Sequence, residues 1–234
     1  MKIYRILVLL IGTFALSAGL LAKGFEGKVR QQMTAAGGRS STFINYLIKE
    51  GFLRMDMEVD PSKPNKVISS IVDLSKRQII VLMTEQKMYM VKAMPEPSKS
   101  EQAGTPGQQA ELIHTGETET ILGHKCEKLI AKNKDGITEI WGAEGIGYFM
   151  GAGASPMGRS APRNSWEAGL SKNGFFPLRV VSKDLDGNER MRMETVAIEP
   201  KSLPDSTFAV PEDFRKFEMP SIPGLGGLLG GKGN

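Results

Sequence analysis

Residues 120–143 constrain the fold of this chain most, because they have the pattern of a β-hairpin in the middle of the sequence. Two arms of extended-chain character, residues 125–132 and 137–143, flank the tetrapeptide Asn133-Lys134-Asp135-Gly136. Tight hairpin turns favour Asn, Asp and Gly because these residues tolerate a positive φ. The stretch therefore predicts an antiparallel pair of strands at the centre of a β-sheet.

Apolar and polar residues alternate with a period of two along much of the remaining chain. Residues 25–34 alternate in this way, residues 42–49 and 52–59 predict a second hairpin, and residues 175–184 and 189–199 predict a last one. Three runs are apolar on both faces and predict strands that are covered on both sides: residues 67–74, 78–84 and 87–92. About ten or eleven strands at intervals of roughly eight to twelve residues predict a mainly β sandwich or barrel.

Two short helices are predicted after the central hairpin, near residues 147–151 and near residues 166–171, as lid elements over the sheet. A compact stretch near the end of the domain is predicted to close a sheet edge. Its members are Asp205, Phe208, Val210, Pro211 and Phe214.

The N-terminus has the arrangement of a secretory signal peptide over residues 1–22. Lys2 and Arg5 precede an uncharged, mostly apolar run that ends in small residues, and cleavage is expected after Ala22 or after Gly19. Cleavage removes two cations and lowers the net charge from +4 to +2, which does not favour nucleic-acid binding. The alternative is an uncleaved membrane anchor. The expected location is the bacterial periplasm or the medium, with at most peripheral contact to a membrane.

The predicted domain organisation is a signal peptide, one β-rich domain over residues 23–218 and a tail over residues 219–234. The tail is rich in Gly, Leu and Pro, and ordering so many glycines is costly, so it is expected to be flexible. The single cysteine, Cys126, excludes an internal disulfide, and the fold must therefore depend on its core.

The residues offer little for catalysis or for metal chemistry. His114 and His124 are the only histidines, and neither belongs to a recognisable nucleophile motif. The glycine-rich residues 142–153 lack the Lys-Ser or Lys-Thr ending of a phosphate-binding loop. No close set of Cys, His and carboxylate residues has zinc-site spacing. We expect neither an enzyme nor a bound cofactor.

Methionine is the unusual feature, with thirteen residues, six of which form Met-x-Met pairs. The pairs are Met55/Met57, Met88/Met90 and Met191/Met193, and period two places each pair on one face of its strand. Three interpretations stay open at this point. The methionines fill an irregular core, they line a site for a flexible apolar ligand, or their thioethers bind Cu(I) together with His114 or His124.

Several short segments together resemble an uncharacterised family of secreted bacterial domains, which is itself similar to the periplasmic lipoprotein-carrier superfamily of the LolA/LolB type. The resemblance lies in residues 121–128 (Ile-Leu-Gly-His-Lys-Cys-Glu-Lys), 138–141 (Thr-Glu-Ile-Trp), 176–178 (Phe-Pro-Leu) and 208–214 (Phe-Ala-Val-Pro-Glu-Asp-Phe). It implies a single antiparallel, strongly curved sheet, an incomplete barrel with short lid helices over an apolar cavity that holds acyl chains. It implies no catalytic residues.

We therefore expect an exported, non-enzymatic binding protein that holds a lipid or another apolar ligand in the concave face of its sheet. The candidate lining residues are Met55, Met57, Met88, Met90, Trp141 and Met193. One alternative is a structural or interaction module of the cell envelope with a filled core and a protein partner. The other alternative is the Cu(I)-binding protein considered above.

Overall fold

A computed structural model describes residues 24–38, 41–58, 67–94, 111–151 and 165–218. The predicted signal peptide and the predicted tail lie outside these residues. Among the residues that are described, no helix is both long and apolar enough to cross a bilayer.

The domain is built on one sheet, as the alternating pattern predicts. Its strands are β1 (Gly27–Ala35), β2 (Ser41–Lys49), β3 (Phe52–Glu58), β4 (Val67–Asp73), β5 (Gln78–Met83), β6 (Met88–Ala93), β7 (Glu111–Ile121), β8 (His124–Asn133), β9 (Gly136–Glu144), β10 (Phe175–Lys183), β11 (Glu189–Pro200) and β12 (Arg215–Lys216). Their order across the sheet is β12-β6-β5-β4-β3-β2-β1-β11-β10-β9-β8-β7. Every neighbouring pair is antiparallel except β12 and β6, which run parallel.

The sheet curves into an incomplete barrel, and the open strand order confirms the expected fold class. Tyr46 lies on β2 and Phe176 on β10, and the strands β1 and β11 lie between them. In a flat sheet the backbones of β2 and β10 would be about 14 Å apart. The rings of Tyr46 and Phe176 nevertheless meet edge to face with centroids 5.5 Å apart. The face that carries these rings is therefore the concave one, which we call the inner face.

The central hairpin forms as predicted, with β8 and β9 joined through Lys134 and Asp135. Asn133 Oδ1 accepts a hydrogen bond from the Asp135 backbone N–H at 2.8 Å, which supports the turn. Gly136 has φ of +149°, and a Cβ at that position would overlap the Lys183 carbonyl oxygen. Only glycine therefore lets the second arm begin this close to β10.

Residues 201–214, after β11, cover the outer face of the sheet over β2 to β6. Leu203 and Phe208 are buried there against Ile71, Ile80 and Leu82. Polar contacts fix the segment as well, since Lys49 Nζ lies 2.7 Å from Asp205 Oδ1 and 2.9 Å from the Leu203 carbonyl oxygen. The stretch predicted to close a sheet edge packs on this outer face instead, through Phe208, Val210 and Phe214. The edge is closed by the residues that follow, which add β12 to the free side of β6.

The outcome for the remaining sequence predictions is mixed. The strands β4 and β5 are covered on both sides as expected, but β6 is only half-buried, and Val91 is 41% exposed. The helix α1 (Ser165–Lys172) confirms the prediction near residues 166–171. The helix expected near residues 147–151 is wrong, because this segment is irregular. Glycines at 145, 147 and 151 explain the difference, since glycine disfavours helix.

We predict that Phe208→Ala destabilises the domain by about 3 kcal/mol or more, because it removes a buried ring that packs 5.4 Å from Phe52. Urea unfolding followed by circular dichroism measures the change. The matched control is Leu185→Ala at a hairpin tip, where the side chain is 77% exposed and the loss should stay below about 0.5 kcal/mol. Equal effects of the two substitutions would contradict the described cover of the outer face.

Candidate functional site

The strand register brings apolar side chains into rows across the inner face. In one row Val29 on β1 pairs with Tyr46 on β2, and Tyr46 pairs with Met55 on β3. All three side chains are fully buried. The row continues through Ser70 on β4 to Val81 on β5. This part of the inner face is thus the centre of the main core of the domain.

A lid covers this centre, and we define it as residues 145–151 together with α1. Its apolar side chains Ile146, Phe149, Met150, Trp166 and Leu170 are all buried in the main core. The Phe149 ring lies 6.1 Å from Trp166 in a stacked arrangement and 5.5 Å from Phe176 in an edge contact. Residues of the chain itself therefore fill the inner face under the lid.

Polar groups also join the lid to the sheet. The Tyr46 hydroxyl donates a hydrogen bond to the Met150 carbonyl oxygen at 3.4 Å. Burial raises the pKa of Tyr46, and the negative charge of Glu167 on α1 raises this pKa further. The hydroxyl therefore stays protonated and able to donate. Glu167 is itself only 7% exposed, and its carboxylate lies so close to Gly151 that a Cβ at this position would force the carboxylate to move.

Next to the centre, the inner face carries a strip that we call the methionine band. Its members are Met57, Ile68, Met83, Met88 and Met90 on β3 to β6. Met57 pairs with Ile68, and Met83 pairs with Met88. All five side chains are half-buried, in contrast to the sealed centre under the lid. The band is therefore more exposed than the centre of the inner face.

A family model described as a domain of unknown function, DUF4412, matches residues 25–214. The chain belongs to the DUF4412 family. The match spans nearly every described residue and confirms the resemblance to an uncharacterised domain family. No curated protein sequence matches the chain.

Several solved structures are similar to the DUF4412 domain at low sequence identity. An uncharacterised conserved protein from Thermus thermophilus has 9% identity and a TM-score of 0.48, with 82% of this chain and 90% of that chain covered. The MucA/MucB complex structure from Pseudomonas aeruginosa has 9% identity and a TM-score of 0.44, with 82% of this chain and 58% of that chain covered. A putative outer membrane lipoprotein-sorting protein domain from Vibrio parahaemolyticus has 10% identity and a TM-score of 0.30, with 80% of this chain and 89% of that chain covered.

The structure places the six candidate lining residues of the DUF4412 domain in three environments. Met55 and Met193 are buried in the main core, and Met57, Met88 and Met90 belong to the methionine band. Trp141 lies on the opposite face of β9 from Ile140, and Lys128 Nζ is 5.8 Å from its ring centroid. The register of the sheet thus brings three of the six together.

Sequence reasoning missed two members of the methionine band, Ile68 and Met83. Neither belongs to a Met-x-Met pair, and both lie in runs that read as apolar on both faces. The signal that finds them is the pairing register, because Ser70 pairs with Val81 and residues two positions away share the same face. Such a register depends on long-range pairing, which alternation within a single strand does not specify.

A shallow groove of about 270 Å³ lies at the sheet edge near β12. Its lining residues are Met90, Val91, Lys92, Lys216, Phe217 and Glu218. The volume falls just below the range of about 300 to 1,000 Å³ that is usual for ligand pockets, and three of the six residues are charged. The groove therefore shares Met90 with the methionine band but is not suited to an acyl chain by itself.

His114 and Cys126 of the DUF4412 domain have ordinary structural contacts. His114 Nδ1 lies 2.8 Å from Glu127 Oε1 in an exposed pair, and Cys126 is buried. Burial raises the pKa of the Cys126 thiol, which disfavours a reactive thiolate. Within the described ranges, no group of three or more His, Cys, Asp or Glu residues is arranged to hold a metal ion. The Met-x-Met pairs lie on β3, β6 and β11, which are not neighbours in the sheet.

We predict that Gly151→Ala loosens the lid, because the new methyl group would overlap the buried Glu167 carboxylate. The expected results are a stability loss of about 1 to 3 kcal/mol and a red shift of the Trp166 emission. Tryptophan fluorescence in a Trp141→Phe background isolates the signal of Trp166.

Gly24→Ala is the matched control for this substitution, since a Cβ at Gly24 meets no atom within 4 Å. The control should leave the Trp166 emission and the stability unchanged. An unaltered spectrum for Gly151→Ala would show that Glu167 does not fix the lid in the way described.

Proposed function

We propose that this DUF4412 protein is an exported, non-enzymatic binding protein that holds an apolar ligand, such as an acyl chain, along the inner face of its sheet. The observation that carries the proposal is the methionine band, a half-buried apolar strip beside an otherwise sealed core. Monomeric proteins rarely leave large contiguous apolar patches without a binding role. The N-terminal signal peptide pattern supports export.

Methionine suits the proposed ligand because its side chain is flexible and polarizable. Four of the five band residues are methionines, and unbranched thioether chains can repack around a ligand of irregular shape. Trp141 is left out of the proposed lining, since it lies on the other side of β9. Met55 lies beside the band in the main core, whereas Met193 on β11 is buried in the main core three strands away from β3.

The energetics of the proposed complex follow from the buried chain length. Burial of about ten methylene groups at about 0.8 kcal/mol each gives a gross gain of about 8 kcal/mol. This is the free energy of a micromolar complex before the costs of association are subtracted. Longer chains should therefore bind more tightly until the band is filled.

Displacement of the lid would open more of the inner face to the ligand. The lid is joined to the sheet mainly by apolar contacts and by the Tyr46 hydrogen bond to Met150. An acyl chain that displaces Phe149 would replace one set of apolar contacts with another. We propose that this exchange, rather than a permanently empty cavity, accommodates ligands too long for the band.

A second candidate function is an interaction module of the cell envelope whose inner face is simply packed core. The observation that favours it is the complete burial under the lid, where Tyr46, Phe149 and Phe176 are each at most 2% exposed. The strand β7 supplies a docking edge, because among the described strands it pairs with β8 alone. Native mass spectrometry of protein purified from a bacterial envelope separates the two, since it detects bound lipid and bound protein by their masses.

We predict that the purified protein binds fatty acids and that affinity rises with chain length. The double variant Met57→Ser, Met88→Ser should bind palmitic acid about tenfold more weakly, a loss of about 1.4 kcal/mol, because it places hydroxyl groups in the band. Isothermal titration calorimetry measures both effects.

The matched control is Val196→Ser, which exchanges an apolar residue that is 44% exposed at a strand irregularity away from the band. It should bind as the unmodified protein does. Absence of bound lipid in native mass spectra, together with no fatty-acid binding in calorimetry, would contradict the proposed function.

A further inference from the structure

The hydroxyl group of Ser70 on β4 is an exception to the hydrogen-bond pairing of this domain. Ser70 is fully buried, and its Oγ has no hydrogen-bond partner. Buried polar atoms in folded proteins nearly always have a partner, because an unpaired hydroxyl forfeits its hydration without compensation. This position is therefore one where a partner from outside the chain would gain a hydrogen bond.

Ser70 borders the methionine band on the inner face. It pairs with Met55 on one side and with Val81 on the other, and Val81 pairs in turn with Met90. Ile68 lies two residues earlier on β4 and so shares the same face. The residues directly beside Ser70 are buried, but the half-buried Met57 and Met83 lie diagonally beside it on β3 and β5, and a change in their rotamers would give a ligand access to the hydroxyl.

Other buried polar atoms differ from Ser70 in their surroundings. The neighbouring Ser69 faces outward, where its Oγ accepts a hydrogen bond from Arg54 at 3.5 Å. Gln31 has an unpartnered Oε1, but its Nε2 donates to the Pro177 carbonyl oxygen at 2.6 Å and to Thr195 Oγ1 at 3.2 Å. Gln31 is thus fixed in the packed core on β1, three strands away from β4. Asn45 Oδ1 also lacks a partner, but Asn45 alternates with Tyr46 on β2 and so lies on the outer face. Among the described residues, Ser70 is the one that combines an unpartnered side chain with a position beside the band.

We propose that Ser70 is a specificity-determining residue that selects acyl chains carrying a hydroxyl group. A serine hydroxyl can both donate to and accept from a ligand hydroxyl, whereas an unsubstituted hydrocarbon leaves it unpaired. The proposal rests on the proposed function, because it names the class of ligand that the methionine band accepts. The band supplies affinity through apolar contact, and Ser70 discriminates hydroxylated acyl chains from unsubstituted ones.

The test compares palmitic acid with α-, β- and ω-hydroxypalmitic acid by calorimetry on the full chain. The unmodified protein should bind at least one hydroxylated chain about threefold to tenfold more tightly than palmitic acid. Ser70→Ala should lose this preference and keep its affinity for palmitic acid. Its thermal midpoint without ligand should be unchanged or higher, because the substitution removes an unpaired buried hydroxyl.

Ser69→Ala is the matched control, since it makes the same chemical change one residue away on the opposite face. It should keep the preference for the hydroxylated chain. If the unmodified protein shows no preference, or if Ser70→Ala retains it, the selectivity role is overturned while fatty-acid binding still supports the proposed function. If no chain binds at all, both proposals are overturned together.

Discussion

The packing of Tyr46, Phe149 and Phe176 is the contact on which the rest of the domain depends. These rings come from β2, the lid and β10, so one cluster joins both halves of the curved sheet to its cover. Aromatic rings bury large areas and prefer the tilted and edge geometries seen here. Curvature, lid position and the sealing of the inner face are therefore consequences of the same contact.

Much of the fold was predictable from local patterns, because alternation and turn residues act within a few positions of the chain. Asn133 and Gly136 marked the central turn, and the alternating segments 175–184 and 189–199 marked the last hairpin. The two-residue strand β12 was not predictable as a strand, since its pairing depends on β6 and not on its own residues. The lid segment at residues 147–151 was wrongly predicted to be a helix. Its cluster of apolar residues is typical of a helix, but its glycines disfavour one.

The candidate site was predictable only in part. The Met-x-Met pairs pointed to Met57, Met88 and Met90, but their separation into band and core depends on which strands are neighbours. Trp141 was expected to line the site, whereas the pairing of β9 with β8 places it beside Lys128. Ser70 carried no signal in the sequence at all. Its significance arises from a missing hydrogen bond, which only three-dimensional contacts reveal.

The central position of the first strand affects how the domain can fold. The strand β1 lies between β2 and β11, and a side-chain hydrogen bond from Gln31 to Thr195 spans 164 residues of sequence. Folding rates fall as contacts become more distant along the chain. Because β11 is near the end of the domain, β1 has no partner on that side until almost the whole domain has been synthesised. Late closure of this kind leaves one edge of β1 without its partner strand during most of synthesis.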